Sequence, residues 1–584
     1  MALKVLFILL TIAIIGIHCD DDKEWWRTAT FYQIYPRSFM DTTDNGIGDI
    51  KGMISRLDHL KDAGFDTFWL SPIFKSPQKD TGYDVSDYYQ IEPDYGTMED
   101  FDNLVKRAKE LGLRLMLDFI PNHTSDQHQW FINSKANVTE YRDYYVWHDG
   151  RPNPQGGQPL LPNNWLSVFG GPAWTWVETR QQYYLHQFYP EQPDLNYRSA
   201  KVREEMSAML KFYIDKGVSG YRLDAINHLY EDDQFRDEPH SPNLDREPTY
   251  YDDLQHIHTK DLNETFLFVY FWRDMIDKYR VEKNITTDIL VMTEAYASTY
   301  DTMRYYRSPT DSAVRGAHMP FNFQLIFNFR KSQDVRNGIF EWLNNMPEGE
   351  TANWVAGSHD HSRTASRVAP EKIHMVNTVV LTLPGASITY YGEEIGMHDN
   401  NDVPNWDSRN KNRTPMQWNG GNGAGFTTKR ANETWLPIHP NYHTINLQSQ
   451  REQEVSTYKY FQTLTKLRKG RVIRDGSFDF KIINDDVFGF TREIENEEGY
   501  LILINTSGME QHVNLSNFTT LNNDTLRVLT AAPNSRFKAG DTTGKNDVTL
   551  GLYDAAVFHY TAAASSIVLS MTLLLSAVFV FLFN

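Results

Sequence analysis

Cysteine is almost missing from this chain, whose 584 residues include a single one, Cys19. One cysteine excludes an internal disulfide, so a folded core has to hold the protein together. An excess of basic residues is missing as well, because the formal net charge is −19. Binding to nucleic acid or to an anionic membrane surface calls for basic patches, so the sequence predicts neither.

Long apolar runs are missing except at the two ends. The run from Val5 to Ile17 follows one lysine and stops at Cys19 and three aspartates, which is typical of a signal peptide over residues 1–19. The run from Ile567 to Phe583 follows small residues and has no basic tail. This pattern favours a GPI-type attachment signal at 562–584 over the alternative, a single C-terminal membrane span. The two ends predict the secretory pathway and a lipid-anchored position at the plasma membrane.

Acceptor tripeptides for N-linked glycans (Asn-X-Ser/Thr) agree with a secretory route. Two of them, at Asn122 and Asn412, lie inside motifs that we expect at an active site, and we predict that both stay unmodified. The other eight are predicted glycosylation sites: Asn137, Asn263, Asn284, Asn432, Asn505, Asn514, Asn517 and Asn523.

Short apolar strands alternate with helical stretches from residue 31 to about residue 391. The alternation predicts a parallel sheet, and its length, with polar residues at the strand ends, predicts a closed (β/α)8 TIM barrel. Helices are expected at 98–111 and 200–216, among others. Strands are expected at 31–36, 67–72, 114–122, 220–225, 289–294, 353–360 and 387–393.

Two segments depart from this alternation. Residues 124–196 are rich in Pro, Gly, Asn, Gln and Trp, and we interpret them as a subdomain inserted after the third strand, forming one wall of a pocket. After residue 485 short alternating strands predict a small antiparallel β-sandwich at 485–561. The barrel is therefore expected from two parts, residues 20–123 and 197–484.

Charged and polar residues follow several of the predicted strands. The carboxyl ends of barrel strands meet on one face, so Asp224, Glu294 and Asp360 are expected in one pocket. A single Asp or Glu after a strand is more often a helix cap or an ion-pair partner. Burying several like charges together is costly unless they are paired or used, so the joint pattern favours an active site.

The strand ends at 118–123, 220–225, 293–295 and 357–360 resemble the four signature regions of the α-amylase superfamily, glycoside hydrolase family 13. Gln-Pro-Asp-Leu-Asn at 192–196 resembles the fifth signature in its maltase form. Further matches lie at 31–38, 82–88 and 413–418. The chain is identified as a member of this family's maltase branch and is similar to insect midgut maltases, including those of mosquitoes. The resemblance implies an exo-acting retaining α-glucosidase that needs no cofactor for catalysis.

The resemblance also implies a role for each carboxylate. Asp224 would be the nucleophile, Glu294 the general acid/base, and Asp360 the residue that holds the 2- and 3-hydroxyls of the sugar. Retention needs one ionised and one protonated carboxyl group. Arg222 lies two residues before Asp224, on the same side of the strand, and its charge is expected to keep Asp224 ionised. The apolar strand before Glu294 is expected to raise its pKa.

The remaining implied contacts are to the glucose unit of the substrate. Tyr83 would stack on the sugar ring, and His123 and His359 would bind hydroxyl groups. Asp80 and Arg413 would bind the terminal 4-hydroxyl and close the site behind one glucose. A pocket closed in this way releases glucose from the chain end.

One position relates to linkage preference. In similar proteins a small residue after the nucleophile accompanies α-1,4 links and valine accompanies α-1,6, and here the residue is Ala225. We therefore expect action on maltose, sucrose-like glucosides and short malto-oligosaccharides before isomaltose. The chain departs from the family pattern at Ser358, where Asn is usual, and at His361-Ser362, where Gln-Pro is usual.

A glycine-rich segment near the start resembles a Ca²⁺-binding loop of the family. Hard cations take several oxygen ligands, mostly from carboxylates. The similarity assigns such oxygens to Asp41, Thr43, Asn45, the Ile47 carbonyl and Asp49. The family usually has Asp or Asn at position 43 and Glu at position 53, where this chain has Thr and Met. A turn without metal is the alternative.

Three other functions remain open at this point. The heavy chains of amino-acid transporters resemble maltases but act as membrane partners, and they tend to lose catalytic residues, which this chain keeps. A transglycosylase would pass the glucosyl unit to a sugar instead of water. The similarity to mosquito maltases also implies a docking site for bacterial toxins on the inserted segment. The sequence leaves the oligomeric state open, a dimer included.

Overall fold

The computed structural model describes residues 23–404, 406–495, 497–521 and 525–561. The predicted signal peptide (1–19), the predicted attachment signal (562–584) and the acceptor Asn523 lie outside the described residues. Within the described part of the chain, no helix combines the length and the apolar character needed to cross a bilayer.

Eight parallel strands form one sheet, and the predicted TIM barrel is confirmed. In chain order, and called barrel strands one to eight, they are Thr30–Ile34, Thr67–Leu70, Arg114–Phe119, Gly220–Leu223, Leu290–Thr293, Met319–Pro320, Asn353–Val355 and Ala386–Tyr390. Their order in the sheet is six, five, four, three, two, one, eight, seven.

The barrel closes between strands six and seven through one side chain. The Asn353 Nδ2 atom donates to the Pro320 carbonyl at 2.6 Å, and the Asn322 N–H donates to Asn353 Oδ1 at 3.1 Å. Asn353 is fully buried, so these bonds satisfy polar atoms that water cannot reach. Strand six has two residues, and our sequence analysis did not identify it because two residues carry no alternation.

Helices connect the strands, and their ends follow from local sequence. Ile50–Ala63 begins after Asp49, whose side chain accepts from the Gly52 N–H, and ends at Gly64, which has a φ of 93°. Met98–Glu110 begins with a capping box between Thr97 and Asp100. The other helices are Gln129–Lys135, Ala200–Asp215, Asn263–Glu282, Thr299–Tyr306, Gln324–Phe327, Ser332–Asn345, Thr364–Val368, Ile373–Thr382, Leu447–Glu452, Thr457–Arg468 and Arg471–Asp475.

The segment predicted as an insertion after strand three contains a short helix and a three-stranded antiparallel sheet of Trp147–His148, Trp174–Val177 and Gln182–Leu185. Trp165, Trp174 and Tyr183 belong to its own small core. The segment also holds the loop after strand four, because Trp165 Nε1 donates to the Arg236 carbonyl at 2.9 Å. Two loops from neighbouring strands therefore form one wall.

The C-terminal region is antiparallel, as predicted. Its six-stranded sheet has the order Ser477–Ile482, Val487–Glu493, Glu498–Asn505, Ala555–Thr561, Thr525–Ala531, Thr542–Gly544, and a second sheet pairs Gln511–Val513 with Val548–Leu550. The first strand starts at Ser477, before the predicted boundary at residue 485. It belongs to this sheet because it pairs with Val487–Glu493 over six residues.

Candidate active site

The carboxyl ends of the barrel strands surround a cavity of about 330 Å³. Loops after strands two, three, four, five, seven and eight contribute to it, and so does the inserted segment. The cavity is lined by Asp80, Tyr83, His123, Val168, Phe169, Phe188, Asp224, Ala225, Asn227, His228, Tyr251, Lys260, Glu294, Tyr296, His359, Asp360 and Arg409.

Arg222 on strand four holds three carboxylates. Its Nη1 atom donates to Asp118 Oδ1 at 2.8 Å and also to Asp224 Oδ1, and its Nη2 atom lies 3.7 Å from Glu294 Oε2. Asp118, Asp224 and Glu294 follow or end strands three, four and five, which are neighbours in the sheet. The parallel register therefore places the three carboxylates around a single cation, as the sequence predicted for Arg222 and Asp224.

Burial raises the pKa of both Asp224 and Glu294. The charge of Arg222 lowers both, but it does not offset burial and the other carboxylates. We expected Arg222 to keep Asp224 ionised; the ion pair is present, yet the pKa of Asp224 still lies well above its ordinary value. One guanidinium cannot balance three buried carboxylates, so the cluster holds a proton more tightly than separate, exposed carboxyl groups would. A retaining hydrolase needs such a proton on its acid.

Asp118 and Tyr83 form the base of this cluster. The Tyr83 hydroxyl donates to Asp118 Oδ2 at 3.0 Å and lies 2.7 Å from His359 Nε2. The rings of Tyr83 and His359 stack, with centroids 5.4 Å apart and planes 3° from parallel. Burial raises the pKa of Asp118 to about 6. The sequence reached Asp118 only as the end of a strand and gave it no role.

Both predicted histidines line the cavity in neutral form. Burial lowers the pKa of His123 to about 3, and its Nε2 atom lies 3.0 Å from Gln192 Nε2. Burial also lowers the pKa of His359 well below its ordinary value. Gln33 Nε2 lies 2.8 Å from His359 Nδ1, which fixes the ring. Neutral imidazoles can donate to or accept from sugar hydroxyls without adding charge.

Asp360 differs from the other two carboxylates of the predicted triad. Burial acts to raise its pKa, but the charges of the arginines at 413, 409 and 222 lower it far below its ordinary value. Arg413 Nη2 lies 3.1 Å and Arg409 Nη1 lies 3.4 Å from Asp360 Oδ1. Asp360 is therefore ionised and can accept hydrogen bonds from hydroxyl groups.

One end of the cavity contains an ion pair between Asp80 and Arg409, with Arg409 Nη2 2.7 Å from Asp80 Oδ1. The sequence predicted that Asp80 and Arg413 bind the terminal 4-hydroxyl and gave Arg409 no role. Arg409 also pairs with Asp407 at 2.9 Å. Arg413 is fully buried, and it donates to the His359 carbonyl and to Thr81 Oγ1. It supports the site from behind, because only Arg409 lines the cavity.

The two departures from the family pattern contact each other. Ser358 Oγ lies 3.0 Å from His361 Nδ1, and it accepts from the Asp360 N–H at 3.3 Å. Neither residue lines the cavity. His361 also lies beside Tyr296 in the cavity wall, with ring centroids 6.0 Å apart, so the two residues can affect substrate through Asp360 and through Tyr296. The wall residues that sequence reasoning missed include Phe169, Phe188, Tyr251 and Tyr296. The ring of Phe169 lies 5.3 Å from the Arg409 guanidinium.

The oxygens assigned to Ca²⁺ are engaged within their own loop. Asp41 accepts from the N–H groups of Thr43 and Gly46, and Asp49 accepts from those of Thr42 and Gly52. The side chain of Asn45 accepts from the Ile47 N–H at 2.8 Å. Met53, at the position where the family has Glu, is fully buried and adds no oxygen. These contacts use one acceptor position on each oxygen, and the predicted Ca²⁺ site stays a prediction.

The burial of Asn505 contradicts the prediction that this residue is glycosylated. Asn505 is fully buried, and its Nδ2 atom donates to the carbonyls of Met509 and Gly551, both at 2.7 Å. A glycan on that nitrogen would replace both bonds and has no space. Asn122 and Asn412 are also buried, which supports the prediction that they stay unmodified. The exposed acceptors are Asn137, Asn263, Asn284, Asn432, Asn514 and Asn517.

Comparisons with known proteins agree with this geometry. An α-glucosidase of Culex pipiens is 50% identical over 98% of this chain and 97% of its own length. A human amino acid transporter heavy chain is 38% identical over 87% of this chain and 74% of its own length. The crystal structure of the trehalulose synthase MutB superposes with a TM-score of 0.79 at 30% identity, covering 92% of this chain and 100% of that one. The α-amylase catalytic domain matches residues 33–476, so the chain belongs to the α-amylase family of glycoside hydrolases.

Proposed function

We propose that this chain is an exo-acting, retaining α-glucosidase that releases glucose from maltose and short α-1,4-linked oligosaccharides. The observation that carries the proposal is a cavity with two carboxylates on one arginine and an ion pair closing one end. Asp80 and Arg409 bind the terminal hydroxyls of one glucose unit, so a longer chain extends only toward the open end.

The reaction proceeds in two steps. The reacting form of the pair holds one proton, on Glu294. In this form the Asp224 carboxylate attacks the anomeric carbon, while Glu294 gives its proton to the leaving glycosidic oxygen. The resulting glucosyl ester is then attacked by water, which Glu294 deprotonates, and free Asp224 is restored. Two inversions at the same carbon retain the α-configuration. Asp360 stays ionised and accepts hydrogen bonds from the hydroxyls of the same glucose.

Ala225 supports a preference for α-1,4 links over α-1,6 links. It lines the cavity beside Asp224, has a φ of 47°, and its N–H donates to Glu294 Oε2 at 2.9 Å. A larger side chain at this position would enter the space between the two catalytic carboxylates. Maltose and sucrose-like glucosides are therefore the proposed substrates.

The alternative of a non-catalytic membrane partner is less well supported. The similarity to a transporter heavy chain supports this alternative. A membrane partner, however, would not require buried carboxylates around one arginine. Transfer to a sugar acceptor is a second activity of the same intermediate, and the likeness to a trehalulose synthase favours testing it. We further propose export through the secretory pathway and a lipid anchor at the C-terminus, with glycans on the exposed acceptors.

The proposal is tested by glucose release from maltose and from isomaltose. Asp224→Asn removes the nucleophile and is expected to lower kcat/KM on maltose by at least about 1000-fold, because no glucosyl ester can form. The matched control is Asp233→Asn, which changes an exposed carboxylate on the loop after strand four and should retain activity. NMR of the released sugar should show α-glucose first. A folded wild-type chain inert on maltose, isomaltose and sucrose would overturn the proposal.

A further inference from the structure

The open end of the cavity contains a lysine to which sequence reasoning gave no role. Lys260 lines the cavity together with Glu294, Asn227 and His228. It has no hydrogen bond and no ion-pair contact within 4 Å among the residues that the structure describes, although burial raises the pKa of the neighbouring Asp261 and the charge of Lys260 acts to lower it. The other cations of the site, Arg222 and Arg409, each contact at least two carboxylates. An unpartnered ammonium at a cavity wall has three donors available for a ligand.

The backbone on both sides of Lys260 is held in place. Asp261 N–H donates to the Asn227 carbonyl at 2.9 Å, which ties this segment to the end of strand four. On the other side, Thr259 Oγ1 and His258 N–H donate to Glu238 Oε1 at 3.0 and 2.8 Å. The ammonium is thus presented by an anchored segment and not by a free loop end.

Lys260 lies on the side of the cavity from which the leaving group departs. Strands four and five, which carry Asn227 and Glu294, lie across the barrel from strand eight, whose loop carries Arg409. Burial is the main cause that raises the pKa of Glu294, and the charge of Lys260 is among the causes that lower it. The ammonium is therefore close to the group that protonates the leaving oxygen.

We propose that Lys260 determines specificity for the leaving group, by donating hydrogen bonds to hydroxyl groups of the sugar unit that leaves from the anomeric carbon after Glu294 protonates its oxygen. The N–H groups of the ammonium have no acceptor among the described residues, and the hydroxyl groups of a sugar unit would supply acceptors. This inference rests on the proposed glucosidase activity. It concerns the second sugar and not the glucose held by Asp80 and Arg409.

The test compares two substrates whose leaving groups are both alcohols. Maltose has a leaving sugar with hydroxyls, whereas methyl α-glucoside has a leaving methanol without further hydroxyls. Lys260→Met keeps the length of the side chain and removes its charge and donors. We expect kcat/KM on maltose to fall by about 10-fold or more, as for a lost hydrogen bond to a charged group. On methyl α-glucoside the change should stay below about 3-fold.

Lys278→Met is the control, because this lysine is exposed on a helix outside the cavity, and both substrates should be unaffected. Equal losses on both substrates, or no loss on either, with an unchanged melting temperature, would overturn the role in leaving-group recognition. A wild-type chain inactive on both substrates would instead overturn the proposed glucosidase activity itself. The two failures are thus distinguishable.

Discussion

The two ends of the active-site cavity differ in how their charges are partnered. At the closed end Arg409 pairs with Asp80, Asp407 and Asp360. At the open end Lys260 has no such partner, and Tyr296 is 44% exposed. A fully paired end is preorganised for one unchanging glucose unit. The open end keeps free hydrogen-bond donors for the part of the substrate that varies.

The substitution Arg409→Met tests this contrast and is expected to have the largest effect on activity. It leaves Asp80 without its ion-pair partner in a buried site, where an unpaired charge is strongly unfavourable, whereas Asp407 keeps Arg413 at 3.5 Å. We expect kcat/KM to fall by about 100-fold or more, from a loss of about 3 kcal/mol. The loss should be the same on maltose and on methyl α-glucoside, because both contain the glucose that the closed end binds. Steady-state kinetics on the two substrates checks this.

Unequal losses of activity on the two substrates in Arg409→Met would contradict the proposed difference between the two ends of the cavity. Asp80→Asn in combination with Arg409→Met is the matched control, since it removes the stranded carboxylate as well. Because the two residues form one ion pair, the double variant should lose less than the sum of the two single losses. Additive losses would show that Asp80 and Arg409 act independently.

A smaller effect is expected in the pH profile. Activity requires the pair of Asp224 and Glu294 to hold one proton. Activity therefore rises with pH as the pair loses its first proton and falls as it loses the second. Burial raises the pKa of both groups, so both limbs should lie above the ordinary carboxyl range of about 4. Asp360 contributes neither limb, because its pKa is lowered below that range.

The measurement is kcat/KM on maltose across the pH range in which the fold is stable. Glu294→Gln, assayed with an aryl α-glucoside whose leaving group needs little acid help, should lose the alkaline limb and keep the acidic one. An acidic limb below about pH 3 would contradict the raised pKa of the nucleophile.

The barrel could be predicted because its strands follow one repeating pattern and end in polar residues. Seven of the eight strands show it. Strand six, Met319–Pro320, does not, since its pairing depends on the side chain of Asn353, more than thirty residues later in the chain. Local sequence contains no signal for a contact of that kind.

The site residues could be predicted where they directly follow a barrel strand, as Asp224 and Glu294 do. They could not be predicted on loops. Arg409 lies within the 3-10 turn Ser408–Asn412 and Arg413 directly follows it, and only the fold decides which of them lines the cavity. Lys260 was missed for the same reason, because its segment returns to strand four through a backbone bond to Asn227.

The loop at residues 41–49 resembles the closed end of the cavity in one respect. Its two carboxylates, Asp41 and Asp49, already accept hydrogen bonds from backbone N–H groups. We therefore propose that it needs no Ca²⁺, and we expect the melting temperature in EDTA and in excess CaCl2 to agree within about 1 °C. Asp49→Ala removes the cap of the helix Ile50–Ala63 and should cost about 1 kcal/mol, equally with and without Ca²⁺. A melting temperature that rises with CaCl2 concentration in the wild-type chain, and not in Asp49→Ala, would show instead that the loop binds the ion.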